Sequence, residues 1–425
     1  MKSIFSSLSV LTRRSFLRRA LAASCVTIGS VGIQRLGFAA DSSAAAGRDL
    51  LVSIFLRGGC DGLGVFAPVD DEHYRAARHA SLRIAEKGEK SGISLKNAYD
   101  GQDWRLHPAA AALHELYTHG GLALIHACGL KNGTRSHFDA QDMMERGISD
   151  QKNLGLGTGW LTRLLDTLPG TGLVPGVSPA GTLPASFLGS SRAAAIPSLQ
   201  DFSYYGDERQ MKALRLIQQG GGMLAEDGNR MLNLLQELGK RLPKKLDGGF
   251  ADYTPAKGAD YPEHDFSQAL KTVAQLAKME VGLQVAAVDY GDWDTHTGQD
   301  YRLTDLIANL AKPLHAFYRD VSDIHQRVTI VVMSEFGRRL KANESGGTDH
   351  GHGNLMMILG SGIRGGRCIG SWPGLANDQL DQHADLSITT DYRQPLSEIL
   401  QSRMRGADIA KIFPGFEPGN ALGIV

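Results

Sequence analysis

Cysteine is scarce in this 425-residue chain, with four in all, and their placement excludes more than it offers. Cys25 lies near the start, while Cys60, Cys128 and Cys368 have the spacing of neither a zinc ribbon nor a disulfide framework. They read as small, mostly buried residues with at most one bridge among them. There is no Cys-x-x-Cys, no Cys-x-x-Cys-His and no dinucleotide-binding glycine fingerprint. Thiol redox, haem chemistry and a nucleotide cofactor are therefore not expected. No basic stripe interleaves with aromatics, so nucleic acid is not an expected partner. Internal repeats and long low-complexity tracts are missing as well. Hydrophobic residues at 42% and charged ones at 21% are the proportions of a chain that buries an ordinary core.

Acidic residues are absent from positions 1–39, where six basic ones stand: Lys2, Arg13, Arg14, Arg18, Arg19 and Arg35. Thr12-Arg13-Arg14-Ser15-Phe16-Leu17-Arg18 has the paired arginines, polar residue and Phe-Leu of a twin-arginine export signal. The apolar stretch at 20–33 is too short and too rich in Ala, Gly and Ser for a permanent membrane span. Gly37, Ala39 and Ala40 supply a cleavage site, expected after Ala39. The expectation is a folded, periplasmic or secreted protein whose first partner is the twin-arginine translocase. The remainder, 40–425, is mildly acidic and reads as a single α/β domain.

Five short apolar runs have strand length and branched content: 50–56, 122–127, 283–290, 328–333 and 355–359. Their hydrophobicity is continuous rather than alternating, as in a parallel sheet buried on both faces. Helical periodicity fills the intervals at 107–118, 138–146, 208–218, 230–241, 266–280 and 303–324. The alternation predicts a mostly parallel central sheet with helices on both faces. A turn-rich stretch at 155–206 carries Pro169, Pro175, Pro179, Pro184 and Pro197, and is expected to elaborate the sheet's binding edge, as a lid or cap.

In such sheets the chemistry sits past the carboxyl ends of the strands. Arg57-Gly58-Gly59-Cys60-Asp61 follows the first run, and Arg135-Ser136-His137 lies in the loop after the second. Asp292-Trp293-Asp294-Thr295-His296 follows the third and Ser334-Glu335-Phe336-Gly337-Arg338 the fourth. A glycine-rich loop with Asp349, His350 and His352 precedes the fifth. Each has a plain alternative. Asp61 suits a turn, Ser136 a helix cap, and Glu335 an ion pair with Arg338 or Arg339. Taken together, Asp, Glu and His are the ligand set of a divalent ion such as zinc, manganese, magnesium or calcium. Beside such an ion Ser136 is also a candidate nucleophile at a helix N-terminus. The competing expectation is a non-catalytic binding or envelope-assembly protein.

Five ordered motifs carry a resemblance over nearly the whole chain beyond the leader. They are Arg57-Gly58-Gly59-x-Asp61-Gly62-Leu63, Arg135-Ser136-His137-Phe138, Trp293-Asp294-Thr295-His296-x-x-Gln299, Ser334-Glu335-Phe336-Gly337-Arg338 and Gly347-Thr348-Asp349-His350-Gly351. The chain resembles the twin-arginine-exported bacterial family called domain of unknown function 1501. More distantly it is similar to the alkaline phosphatase and sulfatase superfamily, a three-layer sandwich. That resemblance implies metal ligands at Asp61, Asp294, His296, Glu335 and His350 or His352, a nucleophile at Ser136, and His137 as a further possible ligand. It also implies a phosphate or sulfate ester as the substrate, with Arg57 or Arg135 clamping the anion and Ser136 or a water attacking. The sulfatase Cys/Ser-x-Pro-x-Arg signature is absent, and Glu335-Phe336 stands where the superfamily has Asp-His.

Overall fold

The computed structural model describes residues 49–425 apart from 89–90, 100, 151–156, 171, 201–207, 218–222 and 247–248. The expected export signal, its cleavage site and Cys25 lie outside the described residues.

All five apolar runs form strands, buried along their whole length on both faces except at Asp289, which is exposed. They are β1 (Leu50–Leu56), β2 (Leu122–Gly129), β5 (Val285–Tyr290), β6 (Val328–Met333) and β7 (Asn354–Gly360). Short strands β3 (Gly176–Ser178), β4 (Ala193–Ala195), β8 (Arg367–Cys368) and β9 (Thr390–Asp391) complete a nine-stranded sheet. Its order is β8-β2-β7-β6-β1-β5-β3-β4, with β9 also pairing with β2. In the centre, Leu51 to Leu56 of β1 align with Val285 to Tyr290 of β5, and Leu50 to Phe55 align with Val328 to Met333 of β6.

One strand departs from the expected parallel pairing. β7 runs antiparallel to both β6 and β2. The departure has a functional consequence, because a residue before an antiparallel strand lies at the same edge as residues after the parallel ones. The loop carrying His350 thereby meets the loops after β1, β5 and β6.

The principal helices around the sheet are α1 (Ala111–Thr118), α2 (His137–Arg146), α3 (Trp160–Thr167), α4 (Asp265–Lys278), α5 (Gln299–Asp320) and α6 (Arg393–Arg403). Leu51 and Phe55, Ala123 and Ile125, and Val331 and Met333 are pairs spaced by even steps, so they share one face of the sheet. They form one core with Met143 of α2, Leu164 of α3 and Leu396 of α6. The described part of the turn-rich stretch, 157–170 and 172–200, elaborates the sheet. Its helix α3 packs into that core, and β3 and β4 lengthen the sheet beyond β5. Helices Glu208–Ile217 and Met223–Arg241 belong to a compact unit of their own, within which Arg215 donates to Asn233 at 3.0 Å and to Gln236 at 2.8 Å. Cys60, Cys128 and Cys368 are all free thiols, so the one allowed bridge does not form. Among the described residues no helix is long and apolar enough to cross a membrane.

His126 of β2 is fully buried beside Phe66, Trp104 and Trp372, with Nε2 2.7 Å from the Phe66 carbonyl. Burial pushes its pKa down to about 4. As pH falls, the unfolded chain takes up this proton first, so folding stability drops between the unfolded and folded values. The loss is expected to reach roughly 3 kcal/mol by pH 4. Urea titrations at pH 7 and pH 4.5 measure it, and His126→Gln should show a smaller fall than the parent.

Candidate metal centre

The edge of the sheet draws its loops together through glycine. At Gly58 the backbone has φ of +119°, and a Cβ there would sit 2.5 Å from the Asp294 nitrogen. Only glycine lets the loop after β1 touch the loop after β5 so closely. Helix α2 begins at the same edge. Ser136 is its N-cap and accepts from the Asp139 N–H at 3.4 Å, which leaves His137 as the first helical residue.

Three imidazoles converge with Asp294. His137 Nδ1 lies 2.7 Å from Glu335 Oε1, His296 Nδ1 lies 3.0 Å from Asp349 Oδ1, and His350 Nδ1 lies 2.8 Å from the Arg135 carbonyl oxygen. Each of those oxygens can only accept, so each Nδ1 carries the proton that it donates. In a neutral ring the Nε2 is then a bare lone pair. His296 Nε2 and His350 Nε2 face each other at 2.9 Å, and they lie 3.1 and 3.3 Å from Asp294 Oδ1. His137 Nε2 lies 3.5 Å from Asp294 Oδ2, is buried and has no hydrogen bond. The atoms of His137, Asp294 and His350 all fall within 4.8 Å of one another.

The electrostatics favour ionised carboxylates and a neutral His350, but not a neutral His137. The bond to Glu335 raises the His137 pKa and so favours its protonated form, whose proton an ion has to displace. Burial opposes ionisation of Glu335, but hydrogen bonds from His137, Gln141 and the Gly58 N–H outweigh it and hold this acid below its ordinary value. Burial likewise opposes charge on Asp294, and Arg338, His296 and His350 more than offset it. His350 is lowered, chiefly by burial, which favours its neutral form. The Asn343 amide, followed by His296, keeps Asp349 ionised to lower pH.

The other candidates lie elsewhere. Asp61 is not at the cluster. It is buried, paired bidentately with Arg78 and bonded to Gln299, so its charge is already matched. Arg57 gives its guanidinium to Glu145 at 2.8 Å and Asp289 at 2.9 Å. Arg135 is held by Asp385, with Asp381 at 3.5 Å. Neither arginine clamp expected from sequence is free for an anion. His352 points away, with Nε2 3.0 Å from the Asn132 carbonyl and Nδ1 2.9 Å from Asp381. Glu335 and Asp349 are brought to the cluster, but each of them orients a histidine.

Gln141, Asn343 and the Arg338–Asp294 pair extend the site beyond the residues singled out from sequence. Gln141 donates to Glu335 at 2.7 Å and Asn343 to Asp349 at 3.1 Å. Helical spacing offers a signal for the first, since Gln141 stands one turn after His137 on α2. Arg338 bonds Asp294 at 2.6 Å, not the adjacent Glu335. No local pattern reports that choice.

Residues 48–411 match the family described as protein of unknown function, DUF1501. The chain belongs to that family. No curated protein matches it. Among solved structures, a Pyrococcus horikoshii protein is 14% identical, with 75% of this chain and 87% of that one covered and a TM-score of 0.29. The alkaline phosphatase of the Antarctic bacterium TAB5 is 10% identical, with 74% and 92% covered and a TM-score of 0.31. The sulfatase PsFucS1 from Pseudoalteromonas sp. is 11% identical, with 83% and 68% covered and a TM-score of 0.32. At these levels no residue role passes from those proteins to this chain.

The donor set fits a metal ion on its own chemistry. A four-coordinate zinc with bonds of about 2.1 Å spaces its ligand atoms about 3.4 Å apart; His296 and His350 stand 3.1 and 3.3 Å from Asp294 Oδ1 and 2.9 Å from each other, and His137 stands 3.5 Å from the other oxygen, Oδ2. Glu335→Gln keeps an acceptor for His137 but removes the charge that makes its ring a better donor. Zinc affinity, read by calorimetry, is expected to fall about 10–100-fold.

Proposed function

We propose that His137, His296, His350 and Asp294 hold a single zinc-like ion and that the chain hydrolyses a phosphate or sulfate ester with it. The observation that carries this reading is the locking of all three Nδ1 atoms, which turns the Nε2 lone pairs of His296 and His350 toward Asp294 Oδ1 and that of His137 toward its Oδ2. A nitrogen-rich set of this kind favours zinc, iron, nickel or copper over magnesium and calcium, which seek oxygen. When bound, such an ion supplies Lewis acidity, polarising an ester oxygen and making water acidic enough to attack near neutral pH.

The protein's own groups divide the remaining work. Glu335, Asp349 and the Arg135 carbonyl hold the three rings in orientation. Arg338 anchors Asp294 from below. Ser136 Oγ caps α2 by accepting the Asp139 N–H at 3.4 Å, and this reading takes a water as the nucleophile. Asp61 carries its own counter-cation in Arg78, which supports one ion per chain.

A second reading has its own observation. Arg57 and Arg135 are both consumed by carboxylates, which leaves neither as a clamp for an ester anion and favours a non-catalytic binding or envelope-assembly protein.

Elemental analysis of the natively exported protein is expected to find one transition-metal ion per chain. That preparation is then assayed with phosphomonoesters, phosphodiesters and sulfate esters, alongside His350→Ala. Turnover that disappears in the variant supports the hydrolase. A fully loaded protein inert toward all three classes leaves the second reading. A metal-free preparation that takes up no zinc sinks the centre itself.

Export through the twin-arginine translocase to the periplasm or beyond belongs to the same proposal. That route carries folded proteins, and a centre loaded with metal in the cytoplasm needs such a route. Replacing Arg13 and Arg14 with lysine is expected to leave the protein in the cytoplasmic fraction, where cell fractionation and immunoblotting detect it.

A further inference from the structure

Asp61 lies beneath the metal centre, at one end of a buried chain of hydrogen bonds. The middle member is Gln299, the first residue of α5, whose side chain is fully buried. Its Nε2 donates to Asp61 Oδ2 at 2.5 Å. Its Oε1 accepts from Thr295 Oγ1 at 3.1 Å and from Thr348 Oγ1 at 2.6 Å. Asp61 is held in turn by Arg78, whose side chain is 0% exposed and which also donates to the carbonyls of Leu340 at 3.0 Å and Arg339 at 3.2 Å.

The direction of every bond in this chain is fixed. A carboxylate only accepts, so the amide nitrogen of Gln299 must face Asp61, and the amide oxygen must face the two threonines. A flipped amide would set oxygen against carboxylate and nitrogen against two hydroxyls. The threonines sit where leverage on the ligands is greatest. Thr295 stands between Asp294 and His296, and Thr348 stands two residues before His350. The backbone adds a third tie, with the Gln299 N–H donating to the Gly346 carbonyl at 3.0 Å. One amide therefore joins the loop after β1, the loop after β5 and the loop before β7.

We propose that Gln299, braced by Asp61 and Arg78, is a positioning residue that sets the distance between His296 and His350 across the metal centre. The inference rests on the metal reading above. Its physical basis is that neither ring is carried by the central sheet or a helix: His296 reaches the centre from a loop, and His350 from the end of a short two-stranded ladder in which it pairs with Arg338. Their Nε2 atoms stand only 2.9 Å apart, so a displacement of a few tenths of an ångström in either loop alters the ligand spacing.

Cobalt(II) bound to the full-length protein is the probe, because its visible absorption reports coordination geometry. Thr348→Val removes the hydroxyl bonded to Gln299 while keeping the volume, and Thr348→Ser keeps the hydroxyl. In the valine variant the cobalt bands are expected to shift and the dissociation constant to rise about tenfold. The serine variant is expected to restore both. Where Thr348→Val does not fold, Thr295→Val with Thr295→Ser as its control is read in its place. Folded valine variants with the parent's cobalt spectrum and affinity overturn the positioning role and leave the metal reading standing. A parent protein that binds no cobalt overturns both.

Discussion

The buried guanidinium of Arg338 is the interaction on which the functional edge depends. Its side chain is fully buried, and it donates to the carbonyls of Gly59 at 2.6 Å, Thr348 at 2.9 Å and Trp293 at 3.1 Å, as well as to Asp294. Those partners belong to three loops that are far apart in sequence and meet only when the sheet is formed. A planar fork with five donors suits this task better than an ammonium would. Desolvating such a charge is costly unless all its donors are used. The glycines at 58 and 59 permit the approach, and Arg338 holds it.

The order of strands explains why the chemistry lies at one edge. β1, β5 and β6 run parallel and deliver Gly58, Asp294 and Glu335 from their carboxyl ends. β7 runs against them, so His350 arrives from the amino end of its strand at the same edge. An all-parallel sheet would have put that histidine at the opposite edge. The ligand set therefore requires the mixed sheet.

Continuous apolar runs made the strands legible in sequence, because strands buried on both faces leave no room for alternation. β5 begins two residues after its apolar run does, at Val285, although Leu283 and Gln284 are buried and the Gln284 carbonyl accepts from the Leu51 N–H of β1. The direction of β7 was not legible, since direction is a property of the crossover and not of the six or seven residues that pair. Among the site residues, the histidine-bearing loops could be seen because His350 and His296 stand among glycines and acids with few other uses. Asp61 shows the limit of such reasoning. Its Gly-Gly-Cys-Asp context suits a ligand at a strand mouth, and only the folded chain shows that Arg78, seventeen residues later, claims it. Arg57 and Arg135 fail as clamps for the same reason. Glu145 and Asp385, their partners, are distant in sequence and carry no local sign of the pairing.

Charge matching separates the centre from the polar groups around it. Asp61 has Arg78, Asp385 has Arg135, and Asp320 has Lys278 with the hydroxyls of Tyr253 and Tyr261. Glu335 has His137, Gln141 and the Gly58 N–H. In each case a buried carboxylate has been given a cation or enough donors by the chain itself, as burial requires. The three Nε2 atoms at Asp294 are different. They are acceptors facing acceptors, with their donor sides already committed, and Asp294 Oδ2 adds a further acceptor. Protonation relieves one such contact, and Glu335 favours it at His137, whereas burial disfavours the charged form of His350. A cation shared by all four groups relieves every contact at once, which is why the arrangement is better read as a metal site than as a hydrogen-bond network.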